Sequence, residues 1–514
     1  MRAATQDTRS PDAPASLAWR ELSILIGVCA VLLLARLGRY PLWGDELYLV
    51  PAGRHPSWSY ADQGPLVPLQ AALSDLVAPG SAVLLRLPVV ALTAATLLLA
   101  AVIARELGGG RAAQLMAAFG YLCTPFAVQQ SAALSTFAYD AALVALLGWL
   151  VIRWVRTRRD VLLLGAGVVA AVDFQVKWLV PAVWLLLGAG VLLFGPREVL
   201  RRPALWAGSA ILAAAAVPAV LWQARHGWPQ AGMGAQIRAE QVTMADGQFV
   251  SVLRELVLTT GPTGLLLLLG IWAVARSPLL RPYRFLLPFG VVPLLAVLVG
   301  GMRPYYLGDG FAIFAATGAA YLAALGRRYR LDRLLPAYFA LGTVVVVAAV
   351  CVLPLPQSWL HGPAVRNGDM AIRAQFFGLR GWPQLVDTVT AAVAGLPAEQ
   401  RAGVVVVTQN YWQASALEVL ARRDLPPVYS PSRGYGYFGP PPDAATRVLY
   451  VGGDSLAAPL ATRFATVALL ARLDDPTGFQ GVNHGMRVWY CTGPQRPWSQ
   501  TWPELMSLRI EHGT

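Results

Sequence analysis

Apolar residues run in long blocks from Leu22 to Leu353, and short clusters rich in Arg, Pro and Gly separate the blocks. Each block approaches the ~20 residues with which a helix crosses a ~30 Å hydrocarbon layer. The pattern predicts eleven spans, over 22–38, 82–103, 113–129, 138–152, 161–174, 178–194, 204–222, 256–275, 285–301, 307–325 and 335–353. Val161 to Phe194 would be too long for one crossing at ~1.5 Å per residue. The polar string DFQVK (173–177) is therefore read as a turn between two spans.

Beyond Leu353 the pattern changes. The runs VVVVT (404–408), RVLYVGG (447–453), TVALLARL (466–473) and MRVWYCT (486–492) predict strands, and WQASALEVLARR (412–423) has helical spacing. PSRGYGYFGPPPD (431–443) reads as loop from its Pro and Gly. The expected fold is a polytopic α-helical membrane protein, 1–354, followed by a small soluble extracytoplasmic α/β domain, 355–514.

Arginine sets the expected sidedness. The loops 105–111, 153–160, 195–203, 276–284 and 326–333 hold most of the arginines of the apolar part, so the positive-inside rule places them in the cytoplasm. The segments around Asp45 and Lys177, the stretch 223–255, the turn GMRPYYLGDG and the tail then face outward. This is the expectation for a multi-pass membrane protein.

Composition narrows the class further. The chain of 514 residues is 56% hydrophobic and 13% charged, which excludes an ordinary soluble enzyme. Its formal net charge of +13 comes mainly from loop arginines without the clustered basic surface that a nucleic-acid site needs. The four cysteines are scattered and form neither a disulfide framework nor a CxxC pair. The strings GGG (108–110) and GYGYFG read as turns, since neither stands between a strand and a helix as a phosphate loop would. SxxK and GxSxG nucleophile motifs are absent.

Against that background the polar residues at outward span ends stand out. YPLWGDELYLV (40–50) pairs Asp45 with Glu46, SYADQGPLVPL (59–69) carries Tyr60, Asp62 and Gln63, and LSTFAYDAAL (134–143) carries Asp140. Carboxylates near a bilayer are costly unless hydrated or paired, which points to function. From spacing alone, Asp45 and Glu46 serve equally well as the acidic first turn of a surface helix, with Trp43 and Tyr48 as interfacial anchors. Lys177 is the chain's only lysine. It is a candidate phosphate partner or a snorkelling anchor, and Arg86 and Arg303 are further cationic candidates. Tyr305, Tyr306, Trp222, His226 and Trp228 are positioned to contact sugar or lipid, or to join an interfacial aromatic belt.

The ordered set GDELYLV, YADQGPLVPL, LLRLP (84–88), STFAYDAAL, DFQVKWLV, WQARHGW (222–228), RPYYLGDGFAIFAATGA (303–319), VLPLP (352–356) and GWPQLVDTV (381–389) resembles bacterial membrane glycosyltransferases of the GT-C superfamily, the family similar to protein O-mannosyltransferases and lipid A aminoarabinose transferase. The likeness continues through QNYWQASALEVL (409–420), GYGYFGPPP and VWYCTGPQRPW (488–498).

The resemblance implies transfer of a sugar from a polyprenyl-phosphate donor to an acceptor hydroxyl on a glycan, lipid or protein, outside the cytoplasm. Asp45 matches the family's acid of the first outward loop, followed here by Glu46, and Asp140 matches the second acid. Gln63 stands where the family commonly has His, and Gly64 where it has Pro. Asp45 is expected as general base, with inversion. Lys177, Arg86 and Arg303 are expected to stabilise the departing phosphate, and Tyr60, Asp62, Gln63, His226, Tyr305 and Tyr306 to contact substrate. No metal is expected to be obligatory, although some relatives use a divalent ion. The competing class is a secondary transporter or lipid-linked sugar flippase. The clustering of acids at outward ends and the lack of an internal repeat speak against it.

Overall fold

The computed structural model describes residues 14–244, 249–329, 335–421 and 425–509. Parts of three expected segments lie outside them: 245–248 of the stretch 223–255, 330–333 of the loop 326–333, and Arg422 and Arg423 of the tail helix.

Helix fills most of each apolar block. Among the described residues, six stretches are long and apolar enough to cross a membrane: Ala82–Glu106, Thr136–Thr157, Pro203–Arg225, Phe249–Arg276, Arg281–Gly300 and Pro304–Gly326. Shorter apolar helices occupy Val161–Phe174, Val180–Phe194 and Ala337–Val352, and the first block is the helix Trp19–Arg36. The break at DFQVK falls where the sequence put it, between Phe174 and Val180.

The block 113–129 is not one helix, contrary to the expectation. Arg111–Leu122 stops, and Pro125–Gln130 starts anew. Pro125 supplies no N–H for the ladder and drives Thr124 to an extended ψ of 123°. Two further helices, Gly44–Arg54 and Leu66–Val77, form in what reads as an outward loop, and Pro229–Met244 forms a third. Their turns are too short or too polar to register as spans.

The tail holds a five-stranded mixed sheet in the order β2-β1-β3-β5-β4. β1 is Val404–Thr408, β2 Val428–Tyr429, β3 Arg447–Gly452, β4 Phe464–Leu473 and β5 Met486–Pro494. β1 pairs in parallel with β2 and β3, whereas β5 runs antiparallel to β3 and β4. β1 is buried on both faces, which is why its sequence is continuously apolar instead of alternating.

The two faces bury different partners. Val405, Val407, Val448 and Tyr450 pack with Trp498 and Trp502 of the helix Trp498–Leu505. Val404, Val406, Leu449 and Val488 face the other way. They share one apolar core with Leu385 and Val389 of the helix Trp382–Ala394, and with Leu47, Val50, Val67, Leu85 and Val89 of the helical part. The sheet is thus seated on the helical part through a continuous dry core. Trp382 Nε1 donates to the Leu42 carbonyl at 3.0 Å, and Arg54 bridges Asp75 at 2.6 Å and Glu418 of the tail at 3.1 Å.

Two glycines permit this docking. A Cβ on Gly44 would fall inside the contact shell of the Trp412 ring, and one on Gly434 would collide with the Tyr48 hydroxyl. Gly44→Ala must therefore push Trp412, and with it the helix Tyr411–Leu420, off the start of Gly44–Arg54. The expected result is a destabilisation of about 1–3 kcal/mol from overpacking, read as a lowered Tm in detergent together with faster proteolytic release of the tail.

Candidate active site

The two carboxylates of GDE have opposite fates. Glu46 is 1% exposed and Arg86 is fully buried. Arg86 Nε donates to Glu46 Oε1 at 2.7 Å and Nη2 to Oε2 at 2.6 Å. Its remaining N–H groups reach the carbonyls of Leu37 (2.6 Å), Tyr40 (3.0 Å) and Pro41 (3.0 Å), so its five donors are all used. Glu46 also accepts from the backbone N–H of Trp43 at 2.9 Å and of Leu134 at 2.7 Å. The expectations for this pair are corrected accordingly. Arg86 has no donor left for a phosphate, and Glu46 has no lone pair turned to a substrate.

Asp45, one residue earlier on the helix, points the other way and is exposed. Its Oδ1 accepts from the Tyr411 hydroxyl at 2.7 Å and from Trp412 Nε1 at 2.9 Å, while Oδ2 takes no hydrogen bond from a described residue. Burial first and the Asp45 charge second push the Tyr411 phenol well above its ordinary pKa, so it remains a donor.

Asp45 borders a cavity with two lobes. One lobe, of about 390 Å³, is lined by Gln129, Gln130, Arg254, Glu255 and Gln375 among others. The other, of about 360 Å³, is lined by Asp62, Gln63, Lys177, Glu240, Tyr306 and Arg433 among others. Trp43, Asp45, Ser135, Phe137, Arg303 and Tyr305 line both. Tyr48 is 2% exposed and lines the second lobe, so neither Trp43 nor Tyr48 acts as the interfacial anchor expected.

Lys177 reaches this second lobe from a buried acidic nest. Its Nζ donates to Asp140 Oδ2 at 2.7 Å and sits 4.1 Å from the Phe137 ring centroid and 5.0 Å from that of Tyr306. Asp140 is fully buried and does not line either lobe, so it holds the lysine and does not meet substrate, contrary to the catalytic role expected. Asp173 and Asp309 are buried in the same neighbourhood. The Asp140 carboxylate, with the Phe137 and Tyr306 rings, compensates an ammonium that is largely removed from water.

A second cationic group sits across the lobe. Arg433 Nη2 donates to Glu240 Oε1 at 2.7 Å and Oε2 at 2.8 Å, and Arg303 Nη2 donates to the same carboxylate at 3.0 Å. The Nε groups of both arginines are buried without a partner among the described residues. Burial disfavours the Arg433 charge, but Tyr411, Glu240 and Asp45 outweigh it and raise its pKa. Asp62 accepts from the Tyr48 hydroxyl at 3.4 Å, and burial, opposed by Arg433 and reinforced by Asp45, moves its pKa up to about 6. The Gln63 amide nitrogen is buried in the wall without a partner among the described residues.

The cavity therefore collects Asp45, Asp62, Gln63, Lys177, Arg303, Tyr305 and Tyr306 from the sequence candidates. It excludes Tyr60, whose hydroxyl is consumed by the carbonyls of Ala52 (2.6 Å) and His55 (3.1 Å). It also excludes His226, which is exposed and stacks on Trp222 at 4.0 Å. Arg433, Glu240, Tyr411 and Trp412 were missed as site residues. The QNYW and RGYGYF stretches were visible in the sequence, but nothing local in them indicates that the tail folds back over residue 45. Among the described residues, no group of three or more His, Cys, Asp or Glu is arranged to hold a metal ion.

Two outcomes follow. Arg86→Met leaves Glu46 buried and unpaired and is expected to cost about 3–5 kcal/mol, whereas Arg86→Met with Glu46→Met recovers much of it; thermal melts in detergent distinguish the two. For Asp62, a folded pKa of about 6 against an ordinary 3.8 means that the ionised group opposes folding. The penalty is absent below pH ~4 and complete once pH has risen through ~6. Asp62→Asn is expected to melt higher than the parent at pH 7–8, with the gap closing toward pH 4.

The family model described as dolichyl-phosphate-mannose-protein mannosyltransferase matches residues 62–222, a stretch that includes Asp62, Gln63, Asp140 and Lys177. No curated protein matches the sequence. Among solved structures, ArnT from Cupriavidus metallidurans bound to undecaprenyl phosphate is similar with a TM-score of 0.56 at 14% identity, over 93% of this chain and 100% of that one. The apo state of the same protein is similar with a TM-score of 0.57 at 13% identity, over the same shares. The GT-C resemblance read from the ordered motifs thus holds at the level of fold, across both the helical part and the tail.

Proposed function

We propose that this protein is a membrane glycosyltransferase that moves a sugar from a polyprenyl-phosphate donor to an acceptor hydroxyl on the extracytoplasmic face of a bacterial plasma membrane. The observation that carries the reading is Asp45: a carboxylate held on one oxygen by Tyr411 and Trp412, with the other oxygen turned to a cavity that also presents Lys177, Arg303 and Arg433. The GT-C-type fold, and the undecaprenyl phosphate bound by ArnT, support a lipid-linked donor.

In this mechanism the acceptor hydroxyl attacks the anomeric carbon and gives its proton to Asp45 Oδ2. The new C–O bond forms as the bond to phosphate breaks, with inversion. Polyprenyl phosphate departs with the bonding electron pair, and Lys177, Arg303 and Arg433 stabilise its charge. Since a phosphate monoester has a second pKa near ~6, no strong general acid is required. These cations supply the positive charge, so the reading carries no obligatory metal. Tyr305, Tyr306 and Gln63 border the sugar.

The test uses membranes containing the protein and a panel of radiolabelled polyprenyl-phosphate sugars. Asp45→Asn is expected to lower transfer by about 10²–10⁴-fold. Arg433→Ala is expected to raise the donor KM by roughly tenfold or more, through loss of a charged contact. Full transfer by Asp45→Asn would overturn the base assignment. Movement of labelled donor across the membrane without covalent product would replace the enzyme with a flippase.

A further inference from the structure

The two lobes that meet at Asp45 differ in chemistry. The second lobe carries the cations Lys177 and Arg433, which suit a phosphate. The first is lined by amide and hydroxyl side chains: Gln129, Gln130, Gln241, Gln375, Ser135 and Thr259. The amides of Gln129 and Gln375 are half-buried and have no hydrogen-bond partner among the described residues, and the Gln130 NH₂ is likewise open, its Oε1 accepting from Ser135. A side-chain amide offers donors and acceptors together. That mixture matches hydroxyl groups, which also give and accept. Trp43, Phe126 and Tyr305 add aromatic faces to the same walls, suited to the C–H faces of a sugar ring.

Other acceptors fit this lobe less well. Arg254 is its one cation not shared with the second lobe, and Arg303, which borders both, is paired with Glu240. Glu46 at its edge is neutralised by Arg86. With one cation of its own, beside the carboxylates of Asp45 and Glu255 on the same walls, this lobe suits the phosphate of an anionic lipid acceptor less well than the second lobe with Lys177 and Arg433. Strand addition, one common mode for an extended peptide, is not offered here, since the walls come from the helices Pro125–Gln130, Phe249–Thr260 and Asn367–Phe377 and none of β1–β5 lines them.

We infer that the first lobe is the acceptor site and that the acceptor is a neutral saccharide, bound by the free amides of Gln129 and Gln375 with its reacting hydroxyl directed at Asp45. The inference rests on the glycosyltransferase reading and adds the substrate class to it. Gly368 and Ala371, on the wall supplied by the tail, have little or no side chain and leave room for a ring.

The experiment offers three acceptors to the full-length protein in membranes, with polyprenyl-phosphate donors of mannose, galactose, arabinose and aminoarabinose: a neutral oligosaccharide, a Ser-containing peptide and a phosphorylated glycolipid. Transfer to the oligosaccharide is expected. Gln129→Leu and Gln375→Leu are each expected to raise its KM about tenfold, while retention of labelled donor without acceptor stays within about twofold of the parent. That donor measurement also reports whether each variant has folded. Transfer to the peptide or the glycolipid in preference to the oligosaccharide would overturn the inference while leaving the glycosyltransferase reading intact, as would an unchanged oligosaccharide KM in both variants. Absence of transfer from any donor to any acceptor would overturn both.

Discussion

A fully buried guanidinium organises the site without entering it. Arg86 ties three carbonyls of the connection after the first helix to the carboxylate of Glu46, and Glu46 in turn holds the backbone N–H groups of Trp43 and Leu134. Four segments are locked by this pair: the end of the first helix, the start of Gly44–Arg54, the span Ala82–Glu106 and the approach to Thr136–Thr157. In a low-dielectric interior such a pair persists only when every donor and lone pair is used, and here the donors are. The orientation of Asp45, the preceding residue of the same helical turn, follows from it.

In the proposed mechanism adjacent carboxylates divide two tasks that one group could not perform together. A structural anion must be desolvated and saturated with donors, whereas a proton acceptor must keep a lone pair open to substrate. Successive positions on a helix are about 100° apart, so one turn can bury Glu46 and present Asp45 to the cavity. The same division recurs at Lys177. Asp140 holds the ammonium from behind, and the aromatic rings of Phe137 and Tyr306 flank it.

The cavity is a joint product of the helical part and the tail. Tyr411, Trp412 and Arg433 come from the sheet domain, and Lys177, Arg303 and Asp45 from the helices. The shared apolar core beneath the sheet, with the close approaches at Gly44 and Gly434, holds these groups in register. A carboxylate oriented by a phenol and an indole from another domain is pre-organised only while that docking persists, which couples the stability of the domain contact to the chemistry proposed for the site.

Much of this was legible in the sequence. Hydrophobic block length predicted the helical part, short apolar runs predicted four of the five strands, and the polar string DFQVK marked its turn, because each of these depends on local periodicity and solvation. The acids and cations at span ends were also visible, as was the GT-C-like order of motifs. Local pattern could not say which member of Asp45-Glu46 is buried, that Arg86 is consumed by structure, or that Tyr60 and His226 stand aside. Nor could it place Arg433 and Trp412 over residue 45, some 370 positions earlier. Those outcomes depend on which distant groups converge, and convergence is decided by packing of the whole chain: a side chain's solvation and partners, unlike its residue type, exist only in three dimensions.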